Sequence, residues 1–161
     1  MRKSLEAAGL CALALLVFIT LRALYGPHRL PARIPTHFGA NGLPDAWGPS
    51  SMLLVLPTIA VVLYALMTLV ARYPSAFNYP VRVTPLNRPH LEAIALAMIV
   101  WIKIELACLF ATLQWFTIRV ADHGVHGLPP AFMPLALIVI FTTIGWHIAA
   151  MFRAARRPQS R

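Results

Sequence analysis

The sequence predicts an all-α integral membrane protein whose four transmembrane helices form a bundle. Hydrophobic residues make up 59% of the chain and charged residues only 12%, against roughly 25% charged residues in ordinary soluble domains. The apolar residues collect in four blocks, each close to or above the ~20 residues that a helix needs to cross a bilayer. A soluble helical bundle is the alternative, but it needs polar outer faces that these blocks lack.

The four blocks divide the chain into a single membrane domain, residues 1–161, without internal repeats. The predicted spans are residues 5–25, 52–71, 91–117 and 131–152. They are joined by an outer loop of residues 26–51, an inner loop of residues 72–90 and an outer loop of residues 118–130, and a basic tail of residues 153–161 follows.

A cleaved signal peptide is the alternative interpretation of the first span. A basic start at Arg2 and Lys3 precedes an apolar stretch, as in a secretory signal. The stretch is longer than the apolar region of a typical signal, and Arg22 with its bulky neighbours discourages cleavage after it. We therefore expect the first helix to remain in the protein.

The distribution of Arg and Lys predicts the orientation in the membrane. The side that holds both termini and the inner loop carries nine basic residues, and the opposite side carries four. Because basic residues concentrate on the cytoplasmic side, we predict cytoplasmic termini in a multi-pass protein of the bacterial inner (plasma) membrane. The lipid bilayer is the expected partner of the basic tail, and no nucleic acid is expected despite the net charge of +9.

Cysteine usage and the absence of phosphate or haem motifs exclude several kinds of cofactor. Cys11 and Cys108 fall inside predicted spans without a CxxC or CxxH pairing, so we predict neither a disulfide nor thiol chemistry. The sequence contains no glycine-rich phosphate loop and no CxxCH haem motif.

The residue composition of the first outer loop predicts more regular structure than that of the other loops. Its prolines hold the chain extended, and Asn41-Gly42 supplies the residues that a tight turn prefers. We expect two extended stretches joined by this turn, forming a short hairpin on the membrane surface. Phe38 and Trp47 suit the membrane interface as anchors.

Three segments of the chain combine residues at characteristic spacings. The first is Leu30-Pro31-x-x-Ile34-Pro35-x-His37-Phe38, followed by Gly42-x-Pro44-Asp45. The others are Phe77-Asn78-Tyr79-Pro80-Val81 with Asn87, and the stretch around Lys103, Glu105, Gln114 and Trp115. Together these segments resemble a bacterial membrane domain of unknown function that forms the N-terminal part of SdpI-type immunity proteins, and the resemblance covers about Leu30 to Trp115. It implies a four-helix membrane domain with an immunity-like role, although SdpI-type proteins carry further C-terminal helices.

The outer loops also contain candidate metal ligands. His37 and Asp45 lie eight residues apart across the predicted turn, and His123 and His126 have an acceptable chelating spacing. These four residues suit Zn²⁺ or another divalent ion, and apart from such an ion no cofactor is expected. The favoured alternative is that His37 anchors the loop and Asp45 forms a turn or a helix N-cap. Use of His37 as a general base is less favoured, because no nucleophile is placed beside it.

Two ionisable residues lie near the middle of the third span, where a charge costs at least ~2.5–3.5 kcal/mol on insertion scales. Lys103 and Glu105 are two residues apart on a helix and therefore point to opposite sides. Each needs a partner on another helix, a neutral protonation state or a water-filled cavity. His147 is the candidate nearest to Glu105 in depth, about 8 Å closer to the cytoplasm, which favours a water-bridged contact.

Three interpretations of these charges stay open. They are structural contacts between helices, the lining of a proton, ion or ligand pathway that also includes Gln114 and His147, or contacts within a homo-oligomer.

These interpretations lead to three functional hypotheses. The first is a non-enzymatic envelope protein, immunity-like or accessory, that binds a peptide or a partner membrane protein. The second is a small transporter or an ion- or proton-conducting subunit that uses Glu105, Lys103 and His147. The third is a membrane enzyme with an outer-face His/Asp metal site.

Overall fold

The computed structural model describes residues 2–28 and 30–156 of the chain. Its helices are α1 (Arg2–Tyr25), α2 (Val55–Val70), α3 (Arg88–Ala121) and α4 (Phe132–Arg156). A two-stranded hairpin of β1 (Arg33–Phe38) and β2 (Pro44–Pro49) separates α1 from α2, and short 3₁₀ helices cover Ser50–Leu54 and Pro74–Ala76. Within these residues four helices are long and apolar enough to cross a membrane. The prediction of a multi-pass, four-helix membrane protein is confirmed at this level.

All four observed helices differ in length from the predicted spans, and α3 differs most. The 34 residues of α3 exceed the predicted span 91–117 at both ends and correspond to about 50 Å of helix, more than the hydrocarbon core requires. α4 continues to Arg156, so the first part of the predicted basic tail is helical. The rest of the tail, residues 157–161, and Arg29 lie outside the described residues.

α3 is the central helix of the bundle, since α1, α2, α4 and β1 all pack against it. Its buried side includes several small residues, among them Ala95, Ala107 and Ala111, which allow helices to approach closely. Leu16 of α1 and Ala60 of α2 meet Ala111 in one apolar cluster. α2 and α4 pack on α3 rather than extensively on each other.

α1 and α3 run in the same direction. Glu6 near the start of α1 contacts Lys103, and Thr20 near its other end contacts Gln114, further along α3. At the end of the bundle where α1 and α3 begin, here called the terminal end, Leu91 and Ala95 pack against Met151 of α4. The hairpin lies at the opposite end, here called the hairpin end.

The loop between α2 and α3 packs against the terminal end of the bundle. Phe77, Tyr79 and Val81 lie against the cluster formed by Leu91 and Met151. The Tyr79 hydroxyl donates a hydrogen bond to the Pro74 carbonyl. Burial raises the pKa of Tyr79, and the neighbouring Glu92 carboxylate raises it further. The phenol therefore keeps its proton and stays a donor at neutral pH.

The predicted hairpin is present, and its turn follows the expected chemistry. The Asn41 side-chain oxygen accepts a hydrogen bond from the Leu43 amide, and Gly42 has a φ of +78°, a conformation that glycine adopts without steric cost. The Gly42 carbonyl accepts a hydrogen bond from the Leu128 amide in the loop between α3 and α4. A Cβ on Gly42 would lie 2.1 Å from the Leu128 carbonyl oxygen, so the close contact of the two loops requires glycine.

The first strand of the hairpin contributes two buried side chains, Ile34 and Pro35, and Ile34 packs into the bundle. Ile34 of β1 is buried in a cluster with Leu53 and Ala121, against which Leu24 and Ile118 also pack. Ile34 therefore joins the first strand to the ends of α1 and α3 and to the 3₁₀ helix that precedes α2.

Candidate functional site

A cavity of about 740 Å³ lies at the hairpin end of the bundle. Four parts of the chain surround it: β1 with the hairpin turn, the start of α2, the last third of α3, and the start of α4 with the loop before it. The lining is predominantly apolar, including Phe38, Leu56, Leu113, Leu128 and Met133. This volume lies within the range of ~300–1,000 Å³ typical of ligand sites, which are mostly apolar with a few placed polar groups.

Gln114 is the polar side chain that α3 places deepest beside this cavity. It is fully buried, with an exposed fraction of 0%. Its amide nitrogen donates to the Thr20 hydroxyl at 2.7 Å and to the Leu53 carbonyl at 2.8 Å. Both amide protons are therefore used, and the oxygen Oε1 is buried without a hydrogen-bond partner among the described residues. An unpaired buried acceptor is costly, so a donor that reached Oε1 would be stabilised there.

Most residues of the family-like loop motif lie at this cavity. Pro35, His37, Phe38 and Gly42 line it. Pro44 and Asp45 belong to β2, outside the lining. Gln114, predicted from the sequence as a ligand or pathway residue, is thus close to the loop, whereas Lys103, Glu105 and His147 are not among the lining residues.

The structure brings His37 and Asp45 together. His37 Nδ1 lies 2.6 Å from Asp45 Oδ1, and the two side chains are 68% and 54% exposed. The contact follows from the strand pairing, because His37 is opposite Ala46, the neighbour of Asp45. An exposed contact of this kind contributes little to stability, because solvent screens it. The contact joins the two strands at an irregular part of the ladder, as expected for the loop-anchoring interpretation.

The predicted metal set is not assembled. Within the described part of the chain, no three His, Cys, Asp or Glu side chains come together as a metal-binding group. His123 and His126 belong to the loop between α3 and α4, which contacts the hairpin through the backbone of Gly42 and Leu128. The two outer loops are therefore in contact, but they do not combine His37 and Asp45 with both histidines in one ligand set.

Lys103 has a complete set of partners on α1 and α2. Its ammonium nitrogen lies 2.6 Å from Glu6 Oε2, 3.1 Å from the Thr68 hydroxyl and 4.5 Å from the centre of the Tyr64 ring. The Lys103 side chain is 1% exposed and that of Glu6 is 30% exposed. The Tyr64 hydroxyl also donates to Glu6 Oε2 at 3.1 Å. This Glu6–Lys103 pair joins three helices and satisfies both charges.

Glu105 faces α4, opposite to Lys103, as the two-residue spacing predicts. The Thr143 hydroxyl is hydrogen-bonded to Glu105 Oε1. The second oxygen, Oε2, is buried without a partner among the described residues. His147 is hydrogen-bonded to the backbone instead of the carboxylate: its Nδ1 lies 2.8 Å from the Thr143 carbonyl oxygen. Thr143 contacts both residues, Glu105 through its hydroxyl group and His147 through its backbone carbonyl.

Several functional residues were missed by reasoning from the sequence. No local signal in the sequence pairs Glu6 with Lys103, although Glu6 is the only acidic residue in a predicted span other than the third. Thr68 and Thr143 carry no local signal, because threonine in a membrane helix commonly bonds to its own backbone. The cavity depends on how four distant segments pack, which no spacing within one segment reveals.

Known proteins are similar to part of the chain. The family model described as a domain of unknown function (DUF1648) matches residues 10–61, which include most of α1, the hairpin and the start of α2. An uncharacterized protein of Archaeoglobus fulgidus is 38% identical over 86 residues, which cover 48% of this chain and 45% of that protein. The chain thus covers less than half the length of this relative. No solved structure matches the chain. These matches agree with a membrane domain of unknown function, and the SdpI-type relationship stays a prediction.

Proposed function

We propose that the protein is a non-enzymatic membrane protein that binds an apolar or amphipathic peptide segment in the cavity at the hairpin end. The observation that carries this proposal is the 740 Å³ apolar cavity bounded by the hairpin and by three helices. An apolar lining favours burial of apolar side chains, at about 25 cal/mol for each Å² removed from water. The unpaired Gln114 oxygen supplies a position for a peptide N–H.

The position of the cavity supports a peptide or partner protein as the ligand. The orientation predicted from the basic residues places the hairpin on the outer side of the membrane, where secreted peptides arrive. The motif residues Pro35, His37, Phe38 and Gly42 line the cavity, and the family match ends at residue 61, just beyond them. An immunity-like role, in which the peptide is an envelope-acting toxin, is the specific form that the SdpI-type resemblance suggests.

Substitutions that fill the cavity test this proposal. Leu113 and Leu109 lie one turn apart on α3, and both are partly buried, but only Leu113 lines the cavity. In a strain that lacks the gene, we expect the natural protein to restore tolerance to at least one envelope-acting peptide. Leu109→Trp should behave in the same way. Leu113→Trp should leave the strain as sensitive as the deletion, since the larger ring occupies the cavity.

Two results would contradict the proposal. One is a deletion strain whose sensitivity to such peptides does not change. The other is equal protection by Leu113→Trp and the natural protein when both are present in the membrane in equal amounts.

A further inference from the structure

We propose that Glu105 is a reversible proton-binding site in the middle of the membrane domain, occupied by a proton at neutral pH. This inference does not depend on the cavity at the hairpin end, since Glu105 is not one of its lining residues. It rests on the depth of the carboxyl group, on its hydrogen bonds and on the charged groups around it.

The depth of Glu105 disfavours a charge. Glu105 is 17 residues from Arg88 and 16 from Ala121, the two ends of α3, so about 25 Å of helix lies on either side. No other described acidic residue is so far from both ends of its helix. A carboxylate at this depth is stable only with hydrogen-bond donors, a paired cation or water around it.

The hydrogen bonds of Glu105 are too few for a carboxylate. A charged carboxylate accepts hydrogen bonds at both oxygens. Here the Thr143 hydroxyl serves Oε1, while Oε2 is buried with no donor among the described residues. A neutral carboxyl group avoids a buried, half-satisfied charge. Thr143 can serve this form as well, because a hydroxyl both donates and accepts.

The charged and titratable groups near Glu105 offer no paired cation. Lys103 is on the same helix but points to α1 and α2, where it is bound to Glu6. Cys108, one turn along α3, carries no positive charge. On α4 the nearest titratable group is His147, whose Nδ1 bonds to the Thr143 carbonyl. Because a carbonyl only accepts, Nδ1 carries the hydrogen of this bond.

Release of the proton would have a structural consequence. Deprotonated Glu105 would be a carboxylate at the contact between α3 and α4 that accepts one hydrogen bond, from the Thr143 hydroxyl. The main packing contacts of α4 are with α3. Water or a displacement of α4 would then be needed to solvate the carboxylate. The packing of α4 against α3 therefore depends on whether Glu105 carries a proton.

Reaction with dicyclohexylcarbodiimide tests the proposal on the purified full chain in lipid vesicles. This apolar reagent enters the bilayer and adds to carboxyl groups that carry a proton. We expect mass spectrometry to find the adduct on Glu105 at neutral pH, with a yield that falls as the pH is raised. Glu6 is the matched control, since its carboxyl group is paired with the Lys103 ammonium group.

The expected pattern has three parts. Glu105→Gln abolishes the labelling, Glu6→Gln leaves it unchanged, and an excess of sodium chloride does not protect Glu105. The proposal is overturned if Glu105 is unlabelled throughout the pH range, if its labelling does not depend on pH, or if sodium ions prevent it. The last result would assign the site to a metal cation instead. Labelling of the natural protein is the primary measurement, so the outcome does not depend on whether a variant folds.

Discussion

The ionisable side chains on the two sides of α3 differ in how many partners they have. On the side facing α1 and α2, Lys103 meets the Glu6 carboxylate, the Thr68 hydroxyl and the Tyr64 ring. On the side facing α4, Glu105 meets a single hydroxyl and has one unpaired oxygen. A fully paired buried charge is expected of a structural contact, whereas an unpaired buried polar group calls for an explanation in terms of function. The lysine side holds the bundle together, and the glutamate side is where we place proton binding.

The largest change in the free energy of unfolding is expected when Lys103 loses its carboxylate partner. In Glu6→Leu the ammonium group of Lys103 stays buried without its carboxylate, and we expect a loss of about 3–5 kcal/mol in the free energy of unfolding. The measurement is chemical or thermal unfolding of the purified protein in detergent. The double variant Glu6→Leu/Lys103→Met should recover most of the loss, because an apolar pair leaves no unpaired charge.

Glu105→Gln is the matched control on the glutamate side. It keeps an acceptor for Thr143 and introduces no charge, so it should change the unfolding free energy by less than about 0.5 kcal/mol. A larger loss in Glu105→Gln than in Glu6→Leu would reverse the assignment of the two sides.

A smaller effect is expected at Gln114, which is paired through its nitrogen but not through its oxygen. Gln114→Leu leaves the Leu53 carbonyl without its donor, and we expect a loss of about 1–3 kcal/mol. Thr112→Val is the control from the same helix, because the Thr112 hydroxyl bonds only to the Cys108 carbonyl one turn earlier. Its change should stay within about 0.5 kcal/mol. A stabilised Gln114→Leu protein would show that the hydrogen bonds of Gln114 do not hold α1 and α3 together.

The fold was largely predictable because its determinants are local. Length and apolarity of each block define a membrane helix, and Asn41-Gly42 between proline-rich stretches defines the hairpin turn. The ends of α3 were less predictable. Arg88, His90 and Arg119 lie within the helix, but polar residues near the ends of a membrane helix resemble loop residues in composition.

The candidate site was predictable only where its residues are close in sequence. The contact between His37 and Asp45 spans eight residues and follows from the hairpin. The contact between Glu6 and Lys103 spans 97 residues, and only elimination among the five acidic residues of the chain would have suggested it. The role of Thr143 depends on the rotation of α4 about its axis, which an apolar sequence with little periodicity does not determine.

Infrared spectroscopy of the natural protein at neutral pH distinguishes the two carboxyl groups most directly. A protonated carboxyl group has a carbonyl stretching band separate from the bands of a carboxylate. We predict such a band in the natural protein and in Glu6→Gln, and its loss in Glu105→Gln. A spectrum without this band, or a band that is lost in Glu6→Gln and kept in Glu105→Gln, would contradict the division of α3 into a charge-paired side and a proton-binding side.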